Sequence, residues 1–217
     1  MSRNRQYAYN NFRLGAIFTA VIGITLIVMS FVLTKIEFFL LLNTNLGTAA
    51  DFLFSYCTHL GDGTVWIVVG LLVLIYRREK FVLILSTVAI GTFIVQGLKN
   101  FIIPAQLRPG TAIPDHTVFH SVESVPLLTN YSFPSGHTAT AFSIFLLGCL
   151  LINKKWVVPV GLLYGLLVGY SRIYLAEHFP LDVGGGMLAA LVSVWLSILL
   201  QAAWDRNRDT IPAKTSK

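Results

Sequence analysis

Three blocks of this chain carry no Asp, Glu, Lys or Arg over lengths that a bilayer-crossing helix requires: Leu14–Thr34 (21 residues), Phe81–Leu98 (18) and Val183–Trp204 (22). A hydrocarbon core is spanned by about 20 apolar residues in helical form. Helix is the form such a block takes there, because its backbone polar groups must be satisfied without water. Three shorter apolar runs, Thr64–Tyr76, Thr138–Asn153 and Trp156–Ser171, reach spanning length when their polar flanks sit in the interface or line a protein interior. The expected fold is therefore all-α: a polytopic membrane protein forming a bundle of six transmembrane helices, with residues 1–217 as one integral-membrane domain. Composition agrees, with 55% hydrophobic and only 12% charged residues, about half the charge of an ordinary soluble domain. The first block is longer than the apolar core of a secretory signal, and no small-residue cleavage pattern follows it, so it reads as a retained anchor.

The formal charge of +6 invites a nucleic-acid reading, but its distribution assigns it to topology. With the N-terminus in the cytoplasm, 12 of the 16 Lys and Arg fall on the cytoplasmic side, as the positive-inside rule requires. No nucleic-acid partner is implied. Both termini are then cytoplasmic, and the expected location is a bacterial inner (cell) membrane. All five histidines and seven of the ten acids lie on the opposite, outer side. Chemistry in this chain belongs at that outer face. The loops there are long: Lys35–Gly63, with a short interfacial helix expected around Ala49–His59, and Lys99–Gly136, whose Pro104, Pro109, Pro114, Pro126 and Pro134 forbid a long regular helix.

Three clusters fall at this face: Lys99 with Arg108–Pro109; Pro134–Ser135–Gly136–His137; and Ser171–Arg172 followed by His178 and Asp182. The fourth helix descends from His137, turns at Lys154–Lys155, and the fifth ascends to Arg172. Each leg of about 16 residues rises about 24 Å, so His137 and His178 return to the same depth. The residue types suit phosphoryl transfer, whose transition state spreads negative charge over the equatorial oxygens. Arg108 and Arg172 offer guanidinium forks and Lys99 a point charge. Ser135–Gly136–His137 opens a helix whose free N–H groups bind anions. A neutral imidazole is a competent nucleophile, and a protonated one can release the leaving alkoxide. Asp182, four residues after His178, can fix its tautomer. On chemistry alone, His178 is the better nucleophile and His137 the better acid.

These motifs resemble those of the type 2 phosphatidic acid phosphatase family, relatives of the vanadium haloperoxidases and bacterial acid phosphatases. The second and third clusters match at every defining position, and the resemblance spans 99–182. The first departs from it: eight residues separate Lys99 from Arg108, where the family has six, and in a helix two more residues turn a side chain by about 200°. The resemblance implies that His178 becomes phosphorylated, that His137 protonates the leaving group and that Asp182 assists His178. It also implies that Lys99, Arg108, Ser135, Gly136 and Arg172 hold the phosphate, with no metal and no cofactor. The implied partner is a lipid phosphate: phosphatidate, phosphatidylglycerophosphate, undecaprenyl diphosphate or a lipid A phosphate. Phosphotransfer to a second lipid uses the same intermediate, and a silent anionic-lipid-binding protein is the alternative of another class.

Other features receive plainer readings. His116 and His120 belong to loop structure or a substrate rim rather than a metal pair, and His59 with Asp62 to a turn entering the second helix or to a wall of the site. Glu177 is expected to face solvent, Gly184–Gly186 to permit close helix packing, and Pro159 to kink the fifth helix without breaking it.

Overall fold

The structure, a computed structural model, describes residues 3–103 and 106–209; Pro104 of the expected outer loop lies outside them. Every regular element among the described residues is helical. The uncharged blocks become the long helices: α1 (Arg3–Val32), α5 (Phe81–Gly97, extended by a π turn over Leu98–Ile102), α8 (Val157–Tyr174) and α9 (Pro180–Asp209). Between them lie α2 (Lys35–Leu42), α3 (Thr48–Cys57), α4 (Val65–Tyr76), α6 (Pro109–Ala112) and α7 (Gly136–Leu151). A short helix stands where one was expected near Ala49–His59: α3. After the π turn, the described residues of the proline-rich segment before α7 form one short helix, the four-residue α6, in keeping with the missing N–H groups.

Of the six expected spans, four to five are supported by length and composition. Four helices, within Gln6–Val32, Arg78–Ile102, Val157–Tyr174 and Pro180–Arg208, are long and apolar enough to cross. A fifth span exists if Thr48–Gly61 and Val65–Tyr76 count as one element bent by 53°. The fourth expected span, α7, has 16 residues. At 1.5 Å per residue that is about 24 Å, short of the roughly 30 Å hydrocarbon core. Its burial explains why it tolerates this. The side chains of Ala141, Phe142, Phe145, Leu146, Leu147 and Cys149 all lie within the protein core, so α7 meets protein where a lone helix would meet lipid. It packs on α8, α9 and α1. By contrast, 22% of the apolar window of α1, and of α5, is buried, against 50% in α8 and α9. α1 and α5 leave most of their apolar surface outside the protein interior, and α8 and α9 bury more of theirs.

Close approach of α9 is purchased with glycine. A Cβ on Gly184 would lie 2.6 Å from the Gly23 carbonyl oxygen of α1, and one on Gly186 would lie 2.5 Å from the Ser135 carbonyl oxygen at the head of α7. The small-residue run is therefore a packing device, as its composition implied. Gly186→Ala is expected to cost about 1–3 kcal/mol through overpacking and to lower the thermal midpoint in detergent. Gly97→Ala, whose Cβ would meet nothing within 4 Å, is the control that leaves the midpoint unchanged or raises it.

Pro159 does not kink a helix interior. It is the third residue of α8, where the N–H it lacks would have had no intrahelical partner.

Candidate active site

The end of α8 sets the third cluster. The N–H groups of Glu177 and His178 both donate to the Arg172 carbonyl oxygen at 2.9 Å, while Ala176 takes a left-handed conformation with φ 54°. This is a helix C-terminus closed by a left-handed residue, and it reverses the chain so that residues 175–179 fold back under the bundle end. Residues 171–180 are buried without exception. The turn is the physical content of the gap between Arg172 and His178.

His178 is 1% exposed. Its Nδ1 lies 3.3 Å from Asp182 Oδ2, one turn on at the start of α9. The same oxygen accepts the Ser132 hydroxyl at 2.5 Å and the Phe179 N–H at 2.8 Å. A carboxylate fixed by three donors fixes the imidazole in turn, presenting Nδ1 to Asp182 and leaving Nε2 for chemistry. Burial, then the positive charges of Arg108, Arg172, Lys99 and His137, hold the His178 pKa well below its ordinary value. The ring is neutral at pH 7, the form a nucleophile requires.

Ser135 caps α7. Its Oγ accepts from the Thr138 hydroxyl at 2.9 Å and from the Thr138 N–H at 3.4 Å, and its own N–H donates to the Asp182 carbonyl oxygen at 2.9 Å. That last bond ties the head of α7 to the head of α9 and so joins the second and third clusters. The Gly136 and His137 N–H groups are the first two of the helix, without intrahelical carbonyl partners, at its positive end.

Arg108 and Arg172 converge on one carboxylate, that of Glu177. Arg108 Nη1 donates to its Oε2 at 2.5 Å and Arg172 Nη2 to the same oxygen at 3.2 Å. Arg108 is further held by Nε on the Asn130 carbonyl at 3.0 Å, and Arg172 Nη1 donates to the Thr58 hydroxyl. The expectation that Glu177 faces solvent is thus wrong: it is 3% exposed, because the left-handed turn at Ala176 points it inward. Arg172 Nε is buried without a hydrogen-bond partner among the described residues, an orphan donor of the kind a bound anion would satisfy. Lys99, in the π turn, lies within electrostatic range of Arg108, Asp182, Arg172 and Glu177.

His137 meets Asp62, and of the two readings of that segment, turn or site wall, the contact favours the wall. Its Nε2 is 3.1 Å from Asp62 Oδ1, while Asp62 Oδ2 is 3.2 Å from His59 Nδ1. His116 and His120 have separate tasks: His116 Nε2 lies 2.8 Å from the Gly110 carbonyl oxygen, and His120 Nε2 2.8 Å from Asp51, pinning the outer loop to α3. A cavity of about 160 Å³ between α4, α5 and α7, lined by both apolar (Trp66, Val95, Ala139) and polar (Thr92, Gln96, Thr140) side chains, adjoins the head of α7.

The structure thus gathers His137, Arg172, His178 and Asp182 with Arg108, Ser135, Gly136 and Lys99 at one end of the bundle. It adds Glu177, Ser132, Thr58 and Asp62. The arrangement can bind a phosphoryl group among fixed cations and aimed N–H groups, with a neutral imidazole beside it.

Known proteins carry the same design. The family model described as the PAP2 superfamily matches residues 80–206. Undecaprenyl-diphosphatase of Sulfolobus acidocaldarius is 34% identical over 169 residues, covering 76% of each chain. Undecaprenyl-diphosphatase BcrC of Bacillus subtilis is 32% identical over 54% of this chain and 55% of its own. Among solved structures, Aquifex aeolicus LpxE superposes with a TM-score of 0.63 at 33% identity, over 75% of this chain and 93% of that one. A transmembrane PAP2-type phosphatidylglycerolphosphate phosphatase from Bacillus subtilis shares the fold, with a TM-score of 0.59 at 22% identity over 90% and 97% of the two chains. The chain belongs to the PAP2 superfamily. It is a multi-pass integral-membrane lipid phosphatase of that family, a hydrolase.

Proposed function

We propose that this chain hydrolyses a polyprenyl diphosphate at the outer face of the cell membrane, through a phosphohistidine on His178. The observation that carries the mechanism is the neutral, buried His178 imidazole, held on Asp182 by Nδ1, beside the paired guanidiniums of Arg108 and Arg172. The undecaprenyl-diphosphatases among its relatives favour the diphosphate as substrate. In the first step, His178 Nε2 attacks phosphorus and the bridging P–O bond breaks. Arg108, Arg172, Lys99, Ser135 and the Gly136 N–H hold the equatorial oxygens, and His137 gives its proton to the departing oxygen. In the second, water attacks phosphorus, its proton passes to His137, and the P–N bond breaks to release inorganic phosphate.

Residues 1–217 act as one domain in this reading. The chain crosses six times with both termini in the cytoplasm: α3 with α4 forms the second crossing, and α7 forms the fourth, with its head set below the outer surface. The head of α7 then carries the site to the depth of a lipid headgroup.

The test is phosphate release from vesicles containing a polyprenyl diphosphate, phosphatidate or phosphatidylglycerophosphate, with EDTA present and with and without vanadate. Turnover that persists in EDTA, is suppressed by vanadate and is fastest on the diphosphate is expected. Binding of these lipids without any phosphate release would overturn the hydrolase reading, and phosphate recovered on an added acceptor lipid would replace it with phosphotransfer.

A further inference from the structure

We infer that Asp62 is the positioning residue of the general acid: it keeps the His137 Nε2–H aimed, and favours the protonated ring, until a leaving oxygen takes the carboxylate's place. This rests on the assignment of His137 as proton donor above and extends it to a segment outside the 80–206 family match.

Three observations carry it. The first is contact. Asp62 Oδ1 lies 3.1 Å from His137 Nε2, with the two side chains 38% and 28% exposed. The second is fit. The turn bearing Asp62 is pressed onto the head of α7: a Cβ on Gly61 would stand 2.5 Å from Val168 Cγ1 and 3.0 Å from both Cβ and the carbonyl oxygen of His137. Glycine is what lets the turn come that close. The third is that the same short segment reaches the site twice, since Thr58 accepts from Arg172. Residues 58–62 are a wall of the active centre.

Electrostatics says why an acid is needed there. Burial is the largest influence against an imidazolium at His137, and Arg172 from α8 and Arg108 from the outer loop add repulsion; Asp62, from the turn, is the group that opposes them. His178 from the 175–179 fold is neutral, and His59 lies on the far side of the Asp62 carboxylate. Without Asp62 the acid would stand among cations alone. When a leaving oxygen arrives, it displaces Oδ1 as the acceptor of the Nε2–H and then takes the proton; the neutral imidazole so formed is recharged by the water that cleaves the phosphohistidine.

The consequence depends on the leaving group. An alkoxide needs the proton, whereas a nitrophenolate departs without it, and general-acid assistance is worth about 10²–10⁴ where it is required. Asp62→Asn keeps the size of the side chain and removes its charge. On phosphatidate at pH 8, kcat/KM of Asp62→Asn is expected to fall about tenfold or more, with the basic limb of the pH profile moved about one unit lower. On p-nitrophenyl phosphate the change is expected to stay within about twofold. Asp62→Glu is expected to restore part of the loss. Equal losses on both substrates with no shift of the limb would make Asp62 merely structural, and wild-type rates on both would remove its role; either overturns the inference. His137→Ala separates this from the parent assignment: if it, too, is indifferent to the leaving group, the general-acid role of His137 fails first.

Discussion

Replacing His178 with alanine is expected to lower phosphate release from any lipid phosphate by about a thousandfold or more, a loss of about 4 kcal/mol in transition-state stabilisation. The size follows from what the residue alone supplies. Arg108, Arg172, the head of α7 and Lys99 remain in the variant and can still bind phosphate. His137 also meets a carboxylate beside those cations, but Asp62 takes its Nε2, whereas His178 is held by Nδ1 and keeps Nε2 for phosphorus. Radiolabelled substrate followed by an alkaline quench is expected to trap a phosphoenzyme in the wild type and none in the variant. The same site fixes a pH signature. Because burial and the surrounding cations depress the His178 pKa, the ring stays neutral as pH falls through 6.5, the ordinary histidine value. The acid limb of kcat/KM that belongs to the nucleophile therefore lies well below that value. A variant that keeps wild-type turnover, or an acid limb at or above pH 6.5, would show that another group attacks phosphorus.

The features legible in the sequence are those fixed by local rules. Uncharged blocks at bilayer length give α1, α5 and α9, and the hairpin of α7 and α8 returns His137 and His178 to one end. The i, i+4 spacing of His178 and Asp182 survives as a direct contact because α9 begins between them, at Pro180. The features that were not legible depend on long-range or unusual backbone geometry. Glu177 beside an exposed-looking motif reads as a solvated acid, and only the left-handed Ala176 turns it onto two arginines. Ser132 lies in a proline-bounded loop where no periodicity assigns it a direction. Thr58 and Asp62 come from a hairpin far upstream, with nothing in their spacing to tie them to Arg172 and His137. The signal available for Asp62 was chemical: an acid in a glycine-flanked turn, on the same face as two histidines in need of a partner. For α7 the apolar run had the right length, and what hydropathy did not tell was that its side chains are buried by neighbouring helices.

Glu177→Ala tests whether the buried acid is what allows two guanidiniums to share one site in the absence of substrate. Arg108 and Arg172 have side-chain exposures of 9% and 7%, and Glu177 4%, so solvent does little to compensate if the carboxylate is removed. Breaking a buried ion pair by deleting one partner costs about 3–5 kcal/mol, because the remaining charge is left unpaired. Here two charges lose a common partner. The variant is expected to unfold at a distinctly lower temperature in detergent, and Glu177→Gln, which keeps an acceptor oxygen and the volume, to lose less. The decisive arm is an added anion. Inorganic phosphate or vanadate bound between the arginines takes over the role of the carboxylate, and a ligand bound only by the folded state stabilises it by RT ln(1 + [L]/Kd). The midpoint of Glu177→Ala should therefore rise more with added phosphate than that of the wild type, where Glu177 already occupies part of both forks. A midpoint equal to that of the wild type, or one insensitive to phosphate, would mean that the arginines are held by the Thr58 and Asn130 contacts and the protein scaffold rather than by Glu177. The expected outcome identifies Glu177 as the internal anion that keeps a cationic phosphate site folded until its substrate arrives.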